Sequence, residues 1–269
     1  MKYCIGEFST ILGITKDTLR LYEKHQIVEP AKDDHNSYRY YNDLDARNLL
    51  MSRWYRSMGI PLPEVAELMK HASVERVNHE IARSREQLEE EIRRKTMLLD
   101  KMNQIEQEIG ALDAELFQCR IKQRPGWYRL KQTVNNRLLK NERMNRLVNQ
   151  WMDCLPFAFF SFRIEEEELL TDSLKNWKHS WGLTLTEEDV QKLGIEIGDQ
   201  VEYIPPTQCL SAVIVKSQSS PITKETLGFM FEELTSLGYQ VTGDIVGRII
   251  MNEQERGKKR SYLEVNISI

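Results

Sequence analysis

Cysteines and histidines offer the broadest chemistry in this sequence, and their spacing argues against a dedicated metal or nucleophilic centre. The cysteines, Cys4, Cys119, Cys154 and Cys209, lie far apart and form no Cys-x-x-Cys pair. No two of the five histidines are four residues apart, the spacing that would place two imidazoles on one helix face. We therefore expect reduced, mostly packed thiols, no metal site and no cofactor. A redox role for Cys119 or Cys154 is an alternative that the sequence leaves open.

Acid–base chemistry is the second possibility, because a glutamate and a tyrosine in one cleft can transfer protons. The sequence contains no paired nucleophile and base, no phosphate-binding glycine loop and no metal motif that would accompany such a cleft. The four consecutive glutamates at residues 165–168 are typical of a solvated helix start or loop. We therefore predict that the protein is not an enzyme.

Residues 15–41 concentrate cationic and aromatic side chains whose chemistry suits nucleic acid. Several of them share a helical pattern at residues 16–24, and the others stand in the run Tyr-Arg-Tyr-Tyr at residues 38–41. An α-helix fits the major groove, and arginine can donate two hydrogen bonds to one guanine. Lysine and tyrosine suit phosphates, which set the register of a complex without reading its sequence. The predicted contacts to double-stranded DNA are Lys16, Thr18, Arg20, Tyr22, Tyr38 and Arg39.

The overall charge gives no indication of a nucleic-acid partner. Lysine and arginine total 37 against 41 aspartates and glutamates, which gives a net charge of −4. A DNA-binding surface must therefore be a local patch. A mean hydropathy of −0.52 and the lack of an apolar run of transmembrane length predict that the chain does not enter a membrane. An N-terminus without an apolar export core predicts a cytoplasmic location.

Two short helices joined by a glycine turn are predicted to position the cationic patch. Phe8, Ile11 and Leu12 repeat at helical spacing up to Gly13, which suits a helix C-cap. Thr15 then suits the N-cap of a second helix. This order predicts a helix-turn-helix.

A wing and two further helices are expected to complete a DNA-binding domain over residues 1–72. A strand at residues 27–28, a polar turn at 33–37 and a second strand at 38–41 predict the wing. Helices are expected over residues 43–59 and 61–69, the second one started by prolines.

Residues 73–120 read as one long coiled-coil helix. Apolar residues recur every seven positions, and glutamate, arginine, lysine and glutamine occupy the flanks. Such a helix needs a partner to cover its apolar stripe, so we predict a homodimer, with packing onto the chain's own C-terminal region as the alternative. The repeat comprises Ile81, Leu88, Met102, Ile109 and Leu116, with Lys95 in its one polar position.

Residues 121–269 are predicted to form an α+β domain. Strand patterns fall at residues 127–134, 157–164, 177–185, 209–216, 239–251 and 262–269, and helical patterns at 136–152 and 222–237. This order suggests two related strand-helix-strand halves. The predicted fold class is therefore multidomain: an all-α-rich winged helix-turn-helix, a long coiled-coil helix and a duplicated strand-helix-strand α+β domain.

Specific motifs in the first 119 residues resemble the MerR family of transcription regulators. They are Ile-Gly-Glu at residues 5–7, Asp-Thr-Leu-Arg-Leu-Tyr-Glu at 17–23, Ser-Tyr-Arg-Tyr-Tyr at 37–41 and Met-Gly-Ile at 58–60. The resemblance implies an antiparallel coiled-coil dimer on a two-fold promoter whose spacer between the RNA polymerase elements is overlong. Activation would distort that DNA so that the elements realign.

Several residues depart from the family pattern. Gln26 and Ser37 stand at common glycine positions, Leu21 at a frequent aromatic position and Lys32 at a frequent arginine position. Metal-sensing members carry cysteines at the start of the dimerising helix, whereas residues 71–74 read His-Ala-Ser-Val here. The resemblance therefore does not extend to metal sensing.

The C-terminal region resembles, more weakly, the gyrase-inhibitor-like effector domains of multidrug-sensing members. The shared features are the strand-helix order, Gly-Tyr at residues 238–239 and a closing strand at 261–269. The resemblance implies a concave face onto which Glu264 projects, and a carboxylate among aromatic rings suits a hydrophobic cation. The predicted effector-binding residues are Glu264, Tyr262, Trp177, Trp181, Tyr203 and Trp127.

A ligand-responsive, dimeric transcription activator is the function that these patterns favour. The main alternative is a DNA-binding regulator whose C-terminal aromatic residues form an interface with another protein. An exposed aromatic patch in place of a closed pocket would favour that alternative.

Overall fold

The computed structural model describes residues 2–32, 38–135, 137–139, 142–169, 177–255 and 257–269. The chain divides into two compact units, Met1–Met97 and Leu98–Ile269. We describe each unit by itself. The domain limits predicted at residues 72 and 120 stay a prediction.

The N-terminal unit consists of short helices around a small sheet. Gly13 adopts a positive φ of 62° directly after the first helix, and Thr15 caps the second by accepting a 3.0 Å hydrogen bond from the backbone N–H of Thr18. Local residue chemistry therefore sets the tight turn between them. The elements are β1 (Tyr3–Cys4), α1 (Ile5–Ile11), α2 (Lys16–Lys24), β2 (Ala31–Lys32), β3 (Arg39–Tyr41), α3 (Asp43–Ser57) and α4 (Leu62–His71).

The small sheet has the antiparallel order β1-β3-β2. The strand predicted at residues 27–28 is wrong: Ile27 and Val28 are both buried in the core, and pairing begins at Ala31. The segment instead closes the C-terminus of α2: Gln26 has a positive φ of 57°, and the backbone N–H of Ile27 donates a 3.0 Å hydrogen bond to the carbonyl of Tyr22. The polar turn predicted at residues 33–37 lies outside the described residues.

One apolar core holds the N-terminal unit together. Phe8 stacks on Tyr41 with ring centroids 4.7 Å apart, and Leu19 of α2 is fully buried against them. Leu49 of α3 and Val65 of α4 complete the same cluster. Burial of these side chains fixes α2 against the rest of the unit and leaves its opposite face to solvent.

The long helix α5 (Val74–Gly110) ends ten residues before the predicted limit at residue 120. A short α6 (Leu112–Glu115) follows, and strand β4 (Arg120–Arg124) then begins. The heptad pattern predicted a longer helix because the apolar residues after Gly110 continue the repeat, but they pack against the C-terminal sheet. The backbone N–H of Phe117, at a positive φ of 60°, donates a 2.8 Å hydrogen bond to Val213, and Cys119 packs against the sheet's core.

Helix α5 buries none of its residues within the chain. Its flanks carry the expected i,i+4 ion pairs, such as the one between Arg94 and Glu90. Leu88, Met102 and Ile109 of the predicted repeat are exposed. The other exposed large apolar side chains of this helix are Val74, Ile92, Leu98 and Leu99.

The C-terminal unit is built on an eight-stranded, fully antiparallel sheet of order β10-β5-β9-β8-β12-β13-β11-β4. The strands after β4 are β5 (Trp127–Lys131), β6 (Thr133–Val134), β7 (Arg137–Leu138), β8 (Phe159–Ile164), β9 (Ser180–Thr186), β10 (Glu202–Ile204), β11 (Thr207–Ser217), β12 (Ile245–Glu255) and β13 (Lys258–Ser268). The helices are α7 (Glu142–Met152), α8 (Glu166–Leu169), α9 (Glu187–Leu193) and α10 (Gly228–Ser236). Strands β6 and β7 form a separate hairpin.

The two faces of the large sheet differ in character. Leu263, Val265 and Ile267 of β13 pack with Met230 and Leu234 of α10, as the alternation of β13 predicts. Helix α7 covers another part of the same face, where Trp151 meets Leu130 and Leu183. The opposite face carries the alternate residues of each strand, many of them charged, and the candidate site lies there.

Several predicted boundaries in this unit are wrong. The helix expected from residue 136 is described from Glu142, and the one expected over 222–237 is shorter, spanning Gly228–Ser236. The strand expected over 239–251 is Ile245–Glu255, and Trp177 precedes β9 instead of lying in it. Edge strands β4 and β10 gave no strong apolar pattern, because an edge strand needs few apolar residues. The duplicated organisation stays a prediction.

Candidate DNA-binding surface and C-terminal cavity

Helix α2 presents cationic side chains on its solvent face. Lys16 and Arg20 are exposed, and Thr18 is half-buried beside the N-cap hydroxyl of Thr15, 2.8 Å away. The Arg20 guanidinium donates a 3.0 Å hydrogen bond to Asp17, and both side chains stay open to solvent. Arg20 can therefore release Asp17 and bind a DNA phosphate or base edge without a change in the fold.

Tyr22 differs from the other residues predicted to contact DNA because it is buried. It is only 7% exposed and belongs to the N-terminal core, because it lies three residues from Leu19 on the buried face of α2. Its burial does not support the groove contact predicted for it. Of the four DNA contacts predicted on α2, Lys16 and Arg20 are the exposed ones.

Glu23 joins the strand that bears Arg39 to helix α2. Its carboxylate accepts a 3.0 Å hydrogen bond from Arg39 Nε and a short one from the Tyr41 hydroxyl. Burial, and then the hydrogen bond to Glu23, raise the pKa of Tyr41 above its ordinary value. This link holds Arg39 beside α2, while Tyr38 next to it is 64% exposed.

A cavity of about 330 Å³ lies on the charged face of the C-terminal sheet. Its walls come from six strands of the sheet and from the part of α5 that includes Gln104, Ile105 and Glu108. Trp127 and Phe159 supply aromatic walls, with ring centroids 5.2 Å apart in an edge-to-face arrangement. Two of the six predicted effector residues, Glu264 and Trp127, line it.

Glu264 is buried in the cavity wall and already carries two cationic partners. Arg248 Nε donates to it at 2.7 Å, and Lys122 donates a short hydrogen bond to its other oxygen. Burial alone would raise the pKa of Glu264, but Arg248 and Lys122 outweigh it and lower that pKa to about 2. Glu264 is therefore an ionised, neutralised anchor at neutral pH.

Arg248 connects Glu264 to the long helix. Its two terminal nitrogens donate to the Glu108 carboxylate, one of them across 3.1 Å. Burial opposes the charge of Arg248, but Glu264 and Glu108 outweigh it and raise the pKa of this guanidinium. The Glu108–Arg248–Glu264–Lys122 chain is thus a satisfied network between α5 and the sheet.

The aromatic faces in the cavity are also taken by cations of the chain. The Arg124 guanidinium lies 5.0 Å from the Trp127 ring centroid, and that of Arg248 lies 5.8 Å from the Phe159 centroid. These are cation–π distances. A cationic ligand would have to displace the guanidiniums of Arg124 and Arg248 from these ring faces.

The other predicted effector residues lie outside this cavity. Trp177 is in the helix-side core beside Phe231, and Trp181 packs on Phe162 of the same cluster. They contribute packing on the opposite side of the sheet.

Two tyrosines complete the predicted set. Tyr203 is exposed and donates a 2.8 Å hydrogen bond to Glu187, while its ring lies against Tyr128. Tyr262 is half-buried and donates to Glu253 at 3.4 Å. Neither tyrosine lines the cavity.

Sequence reasoning missed the cavity's basic residues. Lys122 and Arg124 alternate along β4, which places both on one face of that strand, and Arg248 interrupts the apolar run of β12. A lone arginine within an apolar strand is a usable signal for a buried ion pair. Its partner Glu108 gave no such signal, because α5 is rich in glutamate.

The described residues contain no group of three or more His, Cys, Asp or Glu side chains arranged to hold a metal ion. Burial raises the pKa of the Cys119 and Cys154 thiols, which lowers the reactive thiolate fraction at neutral pH. Over the same described ranges, every helix is too short or too polar to cross a bilayer.

Comparison with known proteins assigns the N-terminal unit. Residues 3–72 match the family described as MerR HTH family regulatory protein. The transcriptional activator TipA of Streptomyces coelicolor is 35% identical over 69 residues, 26% of this chain and 27% of TipA. The transcriptional regulator ZntR of Escherichia coli is 34% identical over 67 residues, 25% of this chain and 48% of ZntR. The chain thus spans about a quarter to a half of these relatives' length.

A solved structure with a wider match is the EcmrR–DNA complex. The match covers 99% of this chain and 98% of the EcmrR chain at 16% sequence identity, with a TM-score of 0.39. The family assignment comes from residues 3–72.

Proposed function

Residues 3–72 belong to the MerR family of helix-turn-helix regulatory proteins, and from that premise we propose that this protein is a dimeric, ligand-responsive transcription regulator. The observation that carries the proposal is the family match over a unit whose α2 is capped by Thr15 and presents Lys16 and Arg20 to solvent. The relatives named above are regulators, which supports a non-enzymatic role.

DNA recognition is assigned to α2 and β3. Arg20 enters the major groove from the exposed face of α2, and Lys16 contacts the backbone near the helix N-terminus. Tyr38 and Arg39 contact the flanking phosphates. Glu23 has a positioning role, because it holds Arg39 and Tyr41 against α2.

Dimerisation is assigned to the apolar stripe of α5. The stripe is exposed in the single chain and follows a seven-residue repeat, the pattern of a coiled-coil seam. A homodimer would cover it and present two α2 helices to a two-fold site.

Promoter distortion is the activation mechanism that we propose. The dimer binds a promoter with an overlong spacer, and the effector-bound form bends and untwists that spacer so that RNA polymerase engages both elements. Deforming a site of this length costs energy that the effector-bound conformation must offset.

Effector binding is assigned to the cavity that Trp127, Phe159 and Glu264 line. It combines aromatic walls with a few buried polar groups, as small-molecule sites do. Glu108 of α5 reaches Arg248 in its wall, which gives an occupant of the cavity direct access to that helix.

Fluorescence anisotropy of the full-length protein on its own upstream DNA tests the proposal. Binding should weaken with salt, and Arg20→Ala should weaken it further and reduce the salt slope by about one. Arg85→Ala is the matched control, since it removes the same charge from an exposed position of α5. Absence of binding at low salt, or equal effects of the two variants, would contradict the proposal.

A further inference from the structure

We propose that the cavity binds a small organic anion, with a carboxylate as its recognised group, instead of the cation that the sequence suggested. The inference deepens the proposed function and rests on it, because it names the chemical class of the effector. Three independent features of the cavity carry it: its charge balance, two unpartnered buried donors, and the occupied faces of its aromatic rings.

The charge balance of the lining depends on Arg124. Five basic side chains and two carboxylates line the cavity. Lys101 and Arg120 are paired with Asp189 and Glu115, which lie outside the lining, and Lys122 and Arg248 are paired with Glu264 and Glu108. Among the described residues, Arg124 is the lining cation that no carboxylate neutralises. Glu264, the carboxylate expected to attract a cation, is only 6% exposed and is bound by both Lys122 and Arg248. A cation entering here would meet an already neutralised carboxylate and the uncompensated charge of Arg124, which costs free energy in a poorly solvated site.

Two buried nitrogen donors in the lining have no hydrogen-bond partner among the described residues. They are Nε of Arg124 and Nδ2 of Asn266, on side chains that are 2% and 1% exposed. The other nitrogens of Arg124 donate to Pro125 and Pro205, and the Cys209 thiol donates to Oδ1 of Asn266. A buried donor without a partner is unfavourable, so both sites favour a ligand that accepts hydrogen bonds.

The aromatic rings fit the same conclusion. Arg124 stacks on Trp127 and Arg248 on Phe159, so the ring faces already meet guanidiniums. An aromatic or aliphatic acid can lie along the remaining apolar wall and direct its carboxylate to Arg124 and Asn266. The volume of about 330 Å³ suits a small molecule of this kind.

A more voluminous depression, of about 750 Å³, lies at the ends of β11 and β13, but no such argument applies there. Its lining includes Ser217, Gln218 and Ser219 from the exposed turn after β11. No buried unpartnered donor of the described residues lies in it.

Isothermal titration of full-length protein with three shape-matched probes tests the ligand class. The probes are benzoate, neutral benzamide and cationic benzamidine. We expect benzoate to bind about tenfold or more tightly than benzamidine, with benzamide weaker than benzoate, because charge-assisted hydrogen bonds are worth about 1.4 kcal/mol or more. Tighter binding of benzamidine, or no binding of any probe up to about 10 mM, would overturn the proposal.

Two variants separate the anion site from the cation site expected from the sequence. Asn266→Asp replaces the free donor with an acidic group of nearly the same shape, and it should abolish the benzoate preference. Asn149→Asp, on the exposed surface of α7, is the matched control and should leave that preference unchanged.

Glu264→Gln gives opposite results under the two ligand classes. If the cavity binds anions, removal of this charge frees Lys122 and Arg248 and tightens benzoate binding. If it binds cations, benzamidine binding is lost and benzoate binding does not tighten, which overturns the inference. Circular dichroism at neutral pH confirms that each variant is folded before titration.

The DNA-binding assay distinguishes failure of this inference from failure of the proposed function. DNA binding that responds to benzamidine but not to benzoate keeps the ligand-responsive regulator and rejects the anion. Benzoate binding in a protein that does not bind its upstream DNA keeps the anion site and rejects the regulator.

Discussion

In both units, arginine side chains are held in place by ion pairs with carboxylates of the same chain. Arg20 is paired with Asp17 and Arg39 with Glu23, while Arg248 joins Glu108 to Glu264. In the exposed Arg20–Asp17 pair the restraint is weak, because solvent screens the attraction. In the buried network it is strong, since loss of one partner leaves a charge uncompensated.

Removal of the Asp17 carboxylate should strengthen DNA binding. Asp17→Asn leaves Arg20 without its intramolecular competitor and removes one negative charge next to the DNA, so affinity should rise several-fold at low salt. Anisotropy titrations at several salt concentrations measure the effect. The control Glu89→Gln removes another exposed carboxylate, on α5 and paired with Arg85, and should change affinity little. Weaker binding by Asp17→Asn would contradict the assigned role of Arg20.

Protonation of Glu264 should destabilise the C-terminal unit in acid. Its folded pKa of about 2 lies below the ordinary 4.5, so its contribution to stability is complete above about pH 4.5 and is lost as pH falls toward 2. Glu264→Gln should be less stable than wild type at pH 7, and the difference should shrink by pH 3. Urea unfolding followed by tryptophan fluorescence at both pH values measures this. The exposed control Glu225→Gln should follow wild type at each pH, and a constant gap for Glu264→Gln would contradict the account.

At the scale of elements, α5 is the part of the chain that the proposals share. It carries the apolar stripe assigned to dimerisation and also Glu108, which contacts Arg248 at the cavity. If a ligand breaks this contact, the resulting displacement can be transmitted along the rigid helix, provided that the helix has two discrete arrangements.

A charge in the stripe should weaken the dimer. Leu88→Glu places a carboxylate in the predicted seam, where desolvation is costly, and the dissociation constant should rise by about tenfold or more. Gln87→Glu adds the same charge at the neighbouring exposed position and serves as the control. Light scattering over a concentration series measures both. Equal behaviour of the two variants would argue against this seam.

Local signals predicted elements better than their limits. Gly13 and Thr15 specify the turn between α1 and α2 through their own backbone preferences, so the sequence alone predicts it. The heptad pattern overran Gly110 because Leu116 and Cys119 are apolar for a different reason, namely contact with a sheet distant in sequence. Glu264 was predicted at the site, whereas the cations that neutralise it come from β4 and β12 and depend on strand register.

Across the whole molecule, the proposed regulator would combine DNA binding by the N-terminal unit with effector binding by the C-terminal unit in one chain of net charge −4. Because the overall charge is negative, DNA binding must depend on the local cations of α2 and β3 and should be steeply salt-dependent. The effector acts only if it binds the activating conformation more tightly than the inactive one.

Footprinting of the full-length protein on its own upstream DNA, with and without benzoate, is the decisive experiment for the proposed DNA-binding regulator. The account predicts a protected two-fold site between polymerase elements set too far apart, and new cleavage at its centre when ligand is added, because the spacer is then distorted. Lack of protection at low salt, where phosphate contacts are strongest, would contradict the claim that this protein is a DNA-binding regulator.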